Sequence, residues 1–403
     1  MTKGRPRVAL FPCVYHEVDG VANTSKQFEA YARRHNLPLL MVHAGPRNAT
    51  RTDGSVTHIE LQRSFLRFPI DRSHYYDPLF WTHLRKLESQ VREFQPDLVQ
   101  ITGPSDVGMV GASVAYRLGV PLAAAWQTNV HQYARSRAES LVSFLSPAAR
   151  EQLLQAIERG SFRAAARFYR ICHLHFAPNQ EILQALEAAT RRPCYLMPHA
   201  VDACVFHPAN RDRQGGPFRI GYVGRLTPEK NVRMLAQLEE SLFAAGHSNF
   251  EFCIVGQGAQ ESWLRAHMKQ AEFTGVLTGP ALSRAFANLD LLVFPSETDT
   301  FGLVVLEAFA SGVPAIVTGG GGPKYTVRHG QTGFVAYNLE EFTSYTTLLM
   351  SCPDLLAQMR TAAREHAETT SWERIYTGIY EAYESVLFQD APATQPVLDT
   401  ATT

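Results

Sequence analysis

Three acidic residues lie close together in the segment SETDTFGLVVLEAFASG, residues 296–312. The apolar run before it, LDLLVFP, predicts a buried strand, and GLVVLEAFA predicts a helix that ends near Gly312. Glu297 and Asp299 therefore lie on the loop between strand and helix. Glu307 lies inside the helix among apolar residues, where an unpaired carboxylate is costly. Vicinal sugar hydroxyls can pair with it, and so can a backbone group or an arginine, so both interpretations remain open.

Glycines and basic residues follow other predicted strands. Arg225 comes after the strand FRIGYVG, Lys230 begins the next helix, and Gly20 precedes the helix after the first strand. Glycine-rich loops occur at VGQGAQ (255–260) and GGGGP (319–323). Glycine often serves only a turn with positive φ, and a single basic side chain is often solvated. Open parallel sheets, however, bind ligands beyond the carboxyl ends of their strands, and these groups together suit a diphosphate.

Short apolar runs alternate with helical patterns along the chain, which is typical of parallel α/β domains. The predicted strands are RVALFP, LLMVH, DLVQITG, LAAAWQT and HLHFAP in the first half, and FRIGYVG, FEFCIVG, EFTGVL, LDLLVFP and PAIVT in the second. The segment ANRDRQGGPF between the halves is polar and contains Gly and Pro, as linkers do. The predicted fold class is α/β, with two Rossmann-like, doubly wound parallel-sheet domains.

The linker and the end of the chain define the expected domains. Residues 1–208 are predicted to form an N-terminal domain, and residues 209–370 a C-terminal domain. SWERIYTGIYEAYESVLF, residues 371–388, has aromatic and aliphatic residues at helical spacing and predicts a packing helix. Residues 389–403 have the composition of a disordered tail.

Composition limits the class of protein. A chain of 403 residues favours two or three domains. No stretch approaches the roughly 18–20 apolar residues of a membrane span. The first apolar run is too short for a signal peptide, so we expect a cytoplasmic protein. The six cysteines are widely spaced, which favours free thiols.

Charge is unevenly distributed along the chain. Residues 1–210 carry 24 basic and 17 acidic side chains, and the rest of the chain has the opposite excess, so the overall net charge is zero. The basic half suits an anionic acceptor or peripheral attachment to the inner face of the cytoplasmic membrane. A solvated arginine-rich surface explains the excess equally well. No nucleic-acid partner is predicted.

Several segments of the second half together resemble glycosyltransferase family 4, a family of retaining enzymes with the GT-B fold. The family signature pairs two acidic residues around Phe-Gly; here Asp299 holds the first position and Glu307 the second. The other matching segments are YVGRLTPEKN, VGQGAQ, FTGVLTG, GVPAIVTGGGGPKYTVRHGQTGFVA and MPHAVDACVFHP. The resemblance implies two domains that face each other across a cleft, with the final helix crossing back to the first domain.

The resemblance also implies a nucleotide-sugar donor bound by the C-terminal domain, a lipid or saccharide acceptor bound by the N-terminal domain, and no cofactor or metal. Arg225, after Gly224, and Lys230 would neutralise the diphosphate. Glu307 would bind the ribose, and Gly20 would close over the phosphates. The remaining implied donor contacts are Asp299, Thr300, Phe301, Gly302 and Leu303 to the sugar, and Val276 and Leu277 to the base.

Catalysis in this family is attributed to front-face substitution, in which the leaving diphosphate takes the acceptor's proton. Gln127 stands where the family usually has His, with Thr128 after it; Gln can donate a hydrogen bond but cannot carry a proton. His131 is a second candidate on the acceptor side, and an ordinary loop histidine explains it as well. His173 and His175 are interpreted as structural.

Two other functions share the predicted donor site. One is an epimerase or hydrolase of nucleotide sugars with the same fold. The other is a nucleotide-sugar-binding protein impaired in catalysis, which Gln127 suggests. A dehydrogenase is disfavoured because no complete G-x-G-x-x-G follows a strand. The segment SETDTFG resembles that of family members which transfer a mannose- or glucose-type hexose from GDP-mannose or UDP-glucose, and the sequence leaves the choice between these donors, and the acceptor, open.

Overall fold

The computed structural model describes residues 5–17, 20–69, 75–127, 134–135, 138, 142, 144 and 146–388. They form two compact units: the described residues up to Pro198 together with those from Trp372 onward, and His199–Ser371. The chain divides at Pro198 rather than at residue 208 because residues 199–208 bond within the second unit. Arg364 donates hydrogen bonds to the carbonyl oxygens of Ala203 (3.1 Å) and Phe206 (3.0 Å). The predicted tail, residues 389–403, lies outside the described residues.

The elements alternate between strand and helix along most of the chain. The strands are β1 (Val8–Phe11), β2 (Leu39–Gly45), β3 (Ala49–Asp53), β4 (Val56–Gln62), β5 (Phe68–Pro69), β6 (Tyr75–Tyr76), β7 (Leu98–Ile101), β8 (Leu122–Ala125), β9 (Leu174–Ala177), β10 (Cys194–Leu196), β11 (Phe218–Val223), β12 (Phe250–Val255), β13 (Ala271–Gly275), β14 (Leu291–Phe294), β15 (Ala315–Thr318) and β16 (Gly333–Ala336). The helices are α1 (Gly20–Arg34), α2 (Leu84–Phe94), α3 (Asp106–Leu118), α4 (Pro147–Tyr169), α5 (Gln180–Thr190), α6 (Arg233–Ala244), α7 (Glu261–His267), α8 (Gly279–Ala287), α9 (Leu303–Ala310), α10 (Leu339–Ser351), α11 (Pro353–Thr369) and α12 (Trp372–Leu387).

The first unit is built on an eight-stranded sheet in the order β10-β9-β8-β7-β1-β2-β4-β3. Its strands are parallel except β3, which pairs antiparallel with β4. The central strands are apolar runs buried on both faces, as a parallel sheet covered by helices requires. Phe11, Val42 and Ile101 belong to one buried cluster on the α2 and α3 side.

The second unit is built on a six-stranded parallel sheet in the order β13-β12-β11-β14-β15-β16. This is the order of a dinucleotide-binding Rossmann sheet, in which the strand sequence reverses between the first and fourth strands. The reversal here lies between β11 and β14. Loops that leave these two strands at their carboxyl ends turn in opposite directions and leave a crevice, so ligand-binding residues are expected there.

The last helix, α12, packs against α1 inside the first unit. The ring of Phe28 on α1 lies 5.0 Å from Tyr376 and 5.8 Å from Tyr380, measured between centroids. The Tyr376 hydroxyl donates to the carbonyl oxygen of Thr24 over 2.7 Å. The aromatic and aliphatic residues that the helical spacing selected, Trp372, Ile375, Ile379, Tyr380 and Tyr383, are all buried.

All ten predicted strands exist, and the strands that the sequence did not predict are short or lie at sheet edges, except β4, which has seven residues and lies between β2 and β3. β3 reads ATRTD and is mostly exposed, so it has no apolar run to mark it. β10 and β16 occupy the outer positions of their sheets. All six cysteines are free, as expected. Among the described helices, none has the length and apolarity to cross a membrane.

Candidate functional site

The predicted donor residues of the second half gather at the strand-order reversal of the second unit. Gly224 and Arg225 follow β11 directly, and residues 295–302 join β14 to α9. β11 and β14 are hydrogen-bonded neighbours, with Ile220 opposite Leu291. Both loops therefore start at the carboxyl ends of adjacent strands, which is where open parallel sheets bind their ligands.

An ion pair joins these two loops. Lys230, at the end of the 3₁₀ turn after β11, donates from Nζ to both carboxylate oxygens of Asp299, at 2.6 and 2.7 Å. The side chains are 11% and 22% exposed, so solvent screens the pair only in part. Thr298 donates to the carbonyl oxygen of Glu229 at 3.2 Å and ties the loops a second time. Removal of one charge would leave the other poorly compensated.

Arg225 has a different environment from Lys230. Its half-exposed guanidinium lies 3.7 Å from the carboxylate of Glu229, and its carbonyl oxygen accepts a hydrogen bond from Tyr222 at 2.9 Å. An exposed ion pair of this length contributes little to stability. Lys230 is thus the more firmly held of the two cations in its contact with a described carboxylate.

Glu307 lies in the second turn of α9, where Val305, Leu306 and Ala308 are fully buried. Among the described residues, none donates a hydrogen bond to its carboxylate. Burial raises the pKa of Glu307 to about 7, because the charged form loses its hydration. A ligand with paired hydroxyl donors would supply the hydrogen bonds that this carboxyl lacks.

The backbone of Phe301, Gly302 and Leu303 forms the start of α9. Gly302 precedes the helix with a φ of 80°, and the N–H groups of the first helical turn have no acceptor inside the helix. Phe301 is buried and Thr300 is partly buried beside it. The start of α9 therefore presents donor groups at the same edge as Asp299 and Lys230.

The glycine-rich loops have a packing role. A Cβ on Gly256, whose φ is +133°, would lie 1.9 Å from the carbonyl oxygen of Gly224, and a Cβ on Gly322 would lie 1.8 Å from that of Thr300. Gly322 also donates to the carbonyl oxygen of Asp299 at 2.6 Å. These glycines let the loops after β12 and β15 approach the ligand-binding loops closely, which supports the plain interpretation of VGQGAQ and GGGGP.

The remaining predicted residues of the second unit lie after β13. Val276 is exposed and Leu277 is partly buried against the core. The sequence analysis missed His199, a buried residue whose ring contacts Phe301 edge-on at 4.9 Å. Burial lowers the pKa of His199 to about 4, so its ring is neutral. The segment MPHAVDACVFHP matched the family as a whole, and nothing in it marked this histidine.

The first unit contains the other predicted residues. Gly20 is the first residue of α1, and Gln127 is buried two residues after β8. Thr128 and His131 lie outside the described residues. His175 is buried and bonds to the carbonyl oxygen of Tyr169 at 2.8 Å, and His173 accepts from the N–H of Leu122 at 3.1 Å. These contacts agree with a structural role for both histidines.

Comparison with known proteins gives concordant results. Residues 206–366 match the sequence model of a family described as Glycosyl transferases group 1. The chain is 28% identical over 384 residues to a GDP-mannose-dependent alpha-mannosyltransferase of Corynebacterium glutamicum, covering 92% of this chain and 86% of that protein. It is 32% identical over 314 residues to a protein of the same description from Mycolicibacterium smegmatis, covering 74% and 76%.

A solved structure shares the fold. The chain superposes on sucrose-phosphate synthase from Thermosynechococcus elongatus with a TM-score of 0.72 and 17% identity, over 95% of this chain and 99% of that one. The likeness confirms the predicted GT-B fold class, with its two parallel-sheet α/β domains.

The raised pKa of Glu307 predicts a pH-dependent effect on stability. Between its ordinary pKa of 4.5 and about 7, the folded chain holds a proton that the unfolded chain has released. The free energy of unfolding therefore falls as pH rises through this range. Glu307→Gln keeps the size of the side chain and removes its ionisation. We expect the free energy of unfolding of the variant, relative to that of wild type, to increase with rising pH, by up to about 3 kcal/mol at neutral pH and above.

Urea unfolding of both proteins at about pH 4 and about pH 8 measures this difference. Glu297→Gln, on the exposed part of the loop before α9, is the matched control and should follow wild type at both pH values. If the difference in free energy of unfolding between Glu307→Gln and wild type were the same at both pH values, the Glu307 carboxyl would ionise normally.

Proposed function

The chain belongs to the group 1 glycosyl transferases, and on this basis we propose that it transfers a mannosyl group from GDP-mannose to an acceptor hydroxyl with retention of anomeric configuration. The family makes it an enzyme that transfers glycosyl groups from a nucleotide sugar. The choice of GDP-mannose is supported by relatives described as dependent on that donor. The observation that carries the proposal is the grouping of Lys230, Asp299, Arg225 and Glu307 at one sheet edge.

Each of these side chains suits one part of such a donor. Arg225 and Lys230 bind the diphosphate, the first as a planar fork and the second as a point charge. Glu307 accepts hydrogen bonds from the ribose hydroxyls. Asp299 and the start of α9 bind the mannose hydroxyls. Val276 and Leu277 flank the guanine.

The proposed reaction is a front-face substitution. The bond from the sugar's anomeric carbon to the diphosphate oxygen breaks as the bond to the acceptor oxygen forms on the same face. The acceptor's proton passes to the departing diphosphate oxygen, so no side chain has to act as a base. Arg225 and Lys230 stabilise the negative charge that grows on the diphosphate. The chain supplies both cations itself, and we propose a transfer that requires no metal.

Gln127 stands in for the family's usual histidine. Its amide can donate a hydrogen bond to the sugar or to the acceptor, and the proposed proton path does not use this side chain. We therefore propose that the substitution leaves the enzyme active. This choice disfavours the alternative of a protein that binds nucleotide sugars without turnover.

Donor identity is tested by thermal unfolding with a panel of GDP-mannose, UDP-glucose, GDP and UDP. A ligand that binds the folded state raises the apparent melting temperature, and the rise grows with the logarithm of the ratio of ligand concentration to Kd. We expect GDP-mannose and GDP to raise it, and the uridine nucleotides to have little effect. Stabilisation by UDP-glucose without stabilisation by GDP-mannose would show that the donor is UDP-glucose and not GDP-mannose. Release of free mannose without transfer would indicate a hydrolase.

Replacing the cations should reduce turnover more than donor binding, because the charge on the leaving group is largest in the transition state. We expect Lys230→Ala and Arg225→Ala each to lower kcat by about 10²–10³-fold, with a smaller change in donor Kd. Arg233→Ala is the matched control. It removes an exposed cation near Lys230 that stacks on Trp263, and activity should stay near that of wild type.

The same assay includes Gln127→His. Unchanged or modestly changed kcat in this variant agrees with the proposed role of Gln127. Tight donor binding without turnover in wild type, rescued by Gln127→His, would instead show that the imidazole is required. If Lys230→Ala, Arg225→Ala and Arg233→Ala all kept wild-type kcat, the two proposed cations would have no part in catalysis.

The acceptor side has a surface that fits an anionic membrane. After β4, the first unit exposes Phe65 (89%) and Phe68 (60%), with Trp81 also on the surface. The exposed basic residues Arg67, Arg85 and Lys86 occur in the same segment. We propose that this segment contacts an anionic lipid surface, where apolar side chains enter the interface and cations pair with lipid phosphates.

Co-sedimentation with liposomes tests the lipid contact. We expect binding to vesicles that contain anionic lipid, weaker binding at high salt, and at least about a tenfold loss in the double variant Phe65→Ser/Phe68→Ser. Tyr337→Ser, an equally exposed aromatic position of the second unit, is the control and should bind as wild type. Equal binding to neutral vesicles would show that anionic lipid is not recognised, and no binding to either kind would show that the segment has no lipid-binding role.

A further inference from the structure

A polar cluster lies on one face of the first sheet and shares no residue with the donor site. His43 on β2 and Glu60 on β4 are paired across the parallel strands, and His16 lies in the segment after β1. Each residue offers one atom that can bind a metal, and these three atoms lie within 4.8 Å of one another. The rings of His16 and His43 are 5.1 Å apart between centroids.

Hydrogen bonding within the cluster leaves its members with unused capacity. His16 Nε2 is 4.0 Å from Glu60 Oε2, which is too long for a hydrogen bond. The other oxygen of Glu60 accepts a long bond, 3.3 Å, from the N–H of Arg47. A Cβ on Gly45 would lie 2.5 Å from this carboxyl group, so the glycine makes room for it. The carboxylate is therefore accommodated beside His16 without a strong partner.

His43 is fixed by partners outside the cluster, as metal-binding histidines usually are. Its ring is almost fully buried and stacks on Tyr15, with centroids 4.3 Å apart and planes 18° apart. Nδ1 lies 3.3 Å from the carbonyl oxygen of Ala44 and Nε2 lies 3.4 Å from Nδ1 of His58. A metal ion bound to either ring nitrogen takes the place of one of these two long contacts.

The partner of His43 is itself held by an anion. His58 Nε2 lies 3.1 Å from Glu29, and Arg33 donates to the same carboxylate at 2.7 Å. Burial opposes ionisation of Glu29, but hydrogen bonds from His58, Tyr15 and Arg33 lower its pKa to about 2. A carboxylate–histidine–histidine series therefore orients the ring that faces the cluster. Such outer partners fix the tautomer and the direction of a ligand nitrogen.

We propose that His16, His43 and Glu60 bind one divalent transition-metal ion of the Zn²⁺ type. Two imidazoles and a carboxylate are a donor set that Zn²⁺ accepts, with water in the fourth position. Bonds of about 2.0–2.2 Å bring tetrahedral ligand atoms to about 3.3 Å from each other. The three ligand atoms now lie within 4.8 Å of one another, and rotation of the exposed His16 side chain brings its nitrogen closer to the other two. The ion links the segment before α1 to β2 and β4 and takes no part in the proposed transfer.

Equilibrium dialysis of the full chain against Zn²⁺, after chelator treatment and removal of any affinity tag, tests the site. We expect about one Zn²⁺ per chain and a higher melting temperature with Zn²⁺ present. His16→Ala and Glu60→Gln should each weaken Zn²⁺ binding at least about tenfold, the effect of losing even an outer partner of a zinc ligand. Co²⁺ in place of Zn²⁺ should show visible d–d absorption that both variants lose.

His267→Ala, which removes an exposed histidine of α7 in the second unit, is the matched control and should bind Zn²⁺ as wild type. His16 is exposed, and circular dichroism of His16→Ala verifies that the variant is folded. Binding of less than about one ion per chain, or Zn²⁺ binding that His16→Ala and Glu60→Gln leave unchanged, would overturn the proposal. A transferase that is active without Zn²⁺ would not, because the reaction does not pass through this site.

Discussion

The ion pair between Lys230 and Asp299 connects the two loops on which the proposed donor site depends. It forms because the second sheet reverses its strand order between β11 and β14, so residues about seventy positions apart in the chain leave adjacent strands at the same edge. Close backbone packing by Gly256 and Gly322 brings two further loops against this pair. The site is therefore assembled by loop–loop contacts, and its charges have defined positions before any ligand arrives.

The three carboxylates of SETDTFGLVVLEAFASG have three different environments. Glu297 is exposed, Asp299 is neutralised by Lys230, and Glu307 has no described donor and a pKa raised to about 7 by burial. A buried carboxyl group without a partner lowers the stability of the free chain, and a ligand that supplies hydroxyl donors recovers part of that loss. This contrast agrees with separate proposed roles for Asp299 at the sugar and Glu307 at the ribose.

The first unit uses buried polar groups to hold its first helix. Glu29 on α1 accepts hydrogen bonds from Tyr15, His58 and Arg33, and the other side of α1 packs on α12 through Phe28. A buried carboxylate is tolerated here because three donors replace its hydration. The same series of bonds orients His43, so a network that positions α1 also prepares the proposed metal ligands.

Local signals in the sequence predicted most strands and helices, and they predicted the sheet edge at which the proposed donor residues lie. The apolar runs predicted ten strands that all exist, and helical spacing selected the buried face of α12. The polar strand β3 was not predicted, because its residues are mostly exposed and show no alternation of apolar and polar side chains. The placement of Arg225, Lys230, Asp299 and Glu307 after their strands followed from the parallel α/β pattern, and the family resemblance named their roles.

The sequence by itself determined the repeating strands and helices and the residues at the expected ligand edge, because hydrophobic period and turn residues are local properties. The GT-B class came from the resemblance of its motifs to a known family. Only the tertiary structure decided that β14 lies beside β11, that Lys230 pairs with Asp299, and that the glycines of VGQGAQ and GGGGP serve loop packing. It also brought His16, His43 and Glu60 together from three separate segments. These outcomes depend on which strands pair across long stretches of chain, and pairing is set by the packing of the whole sheet.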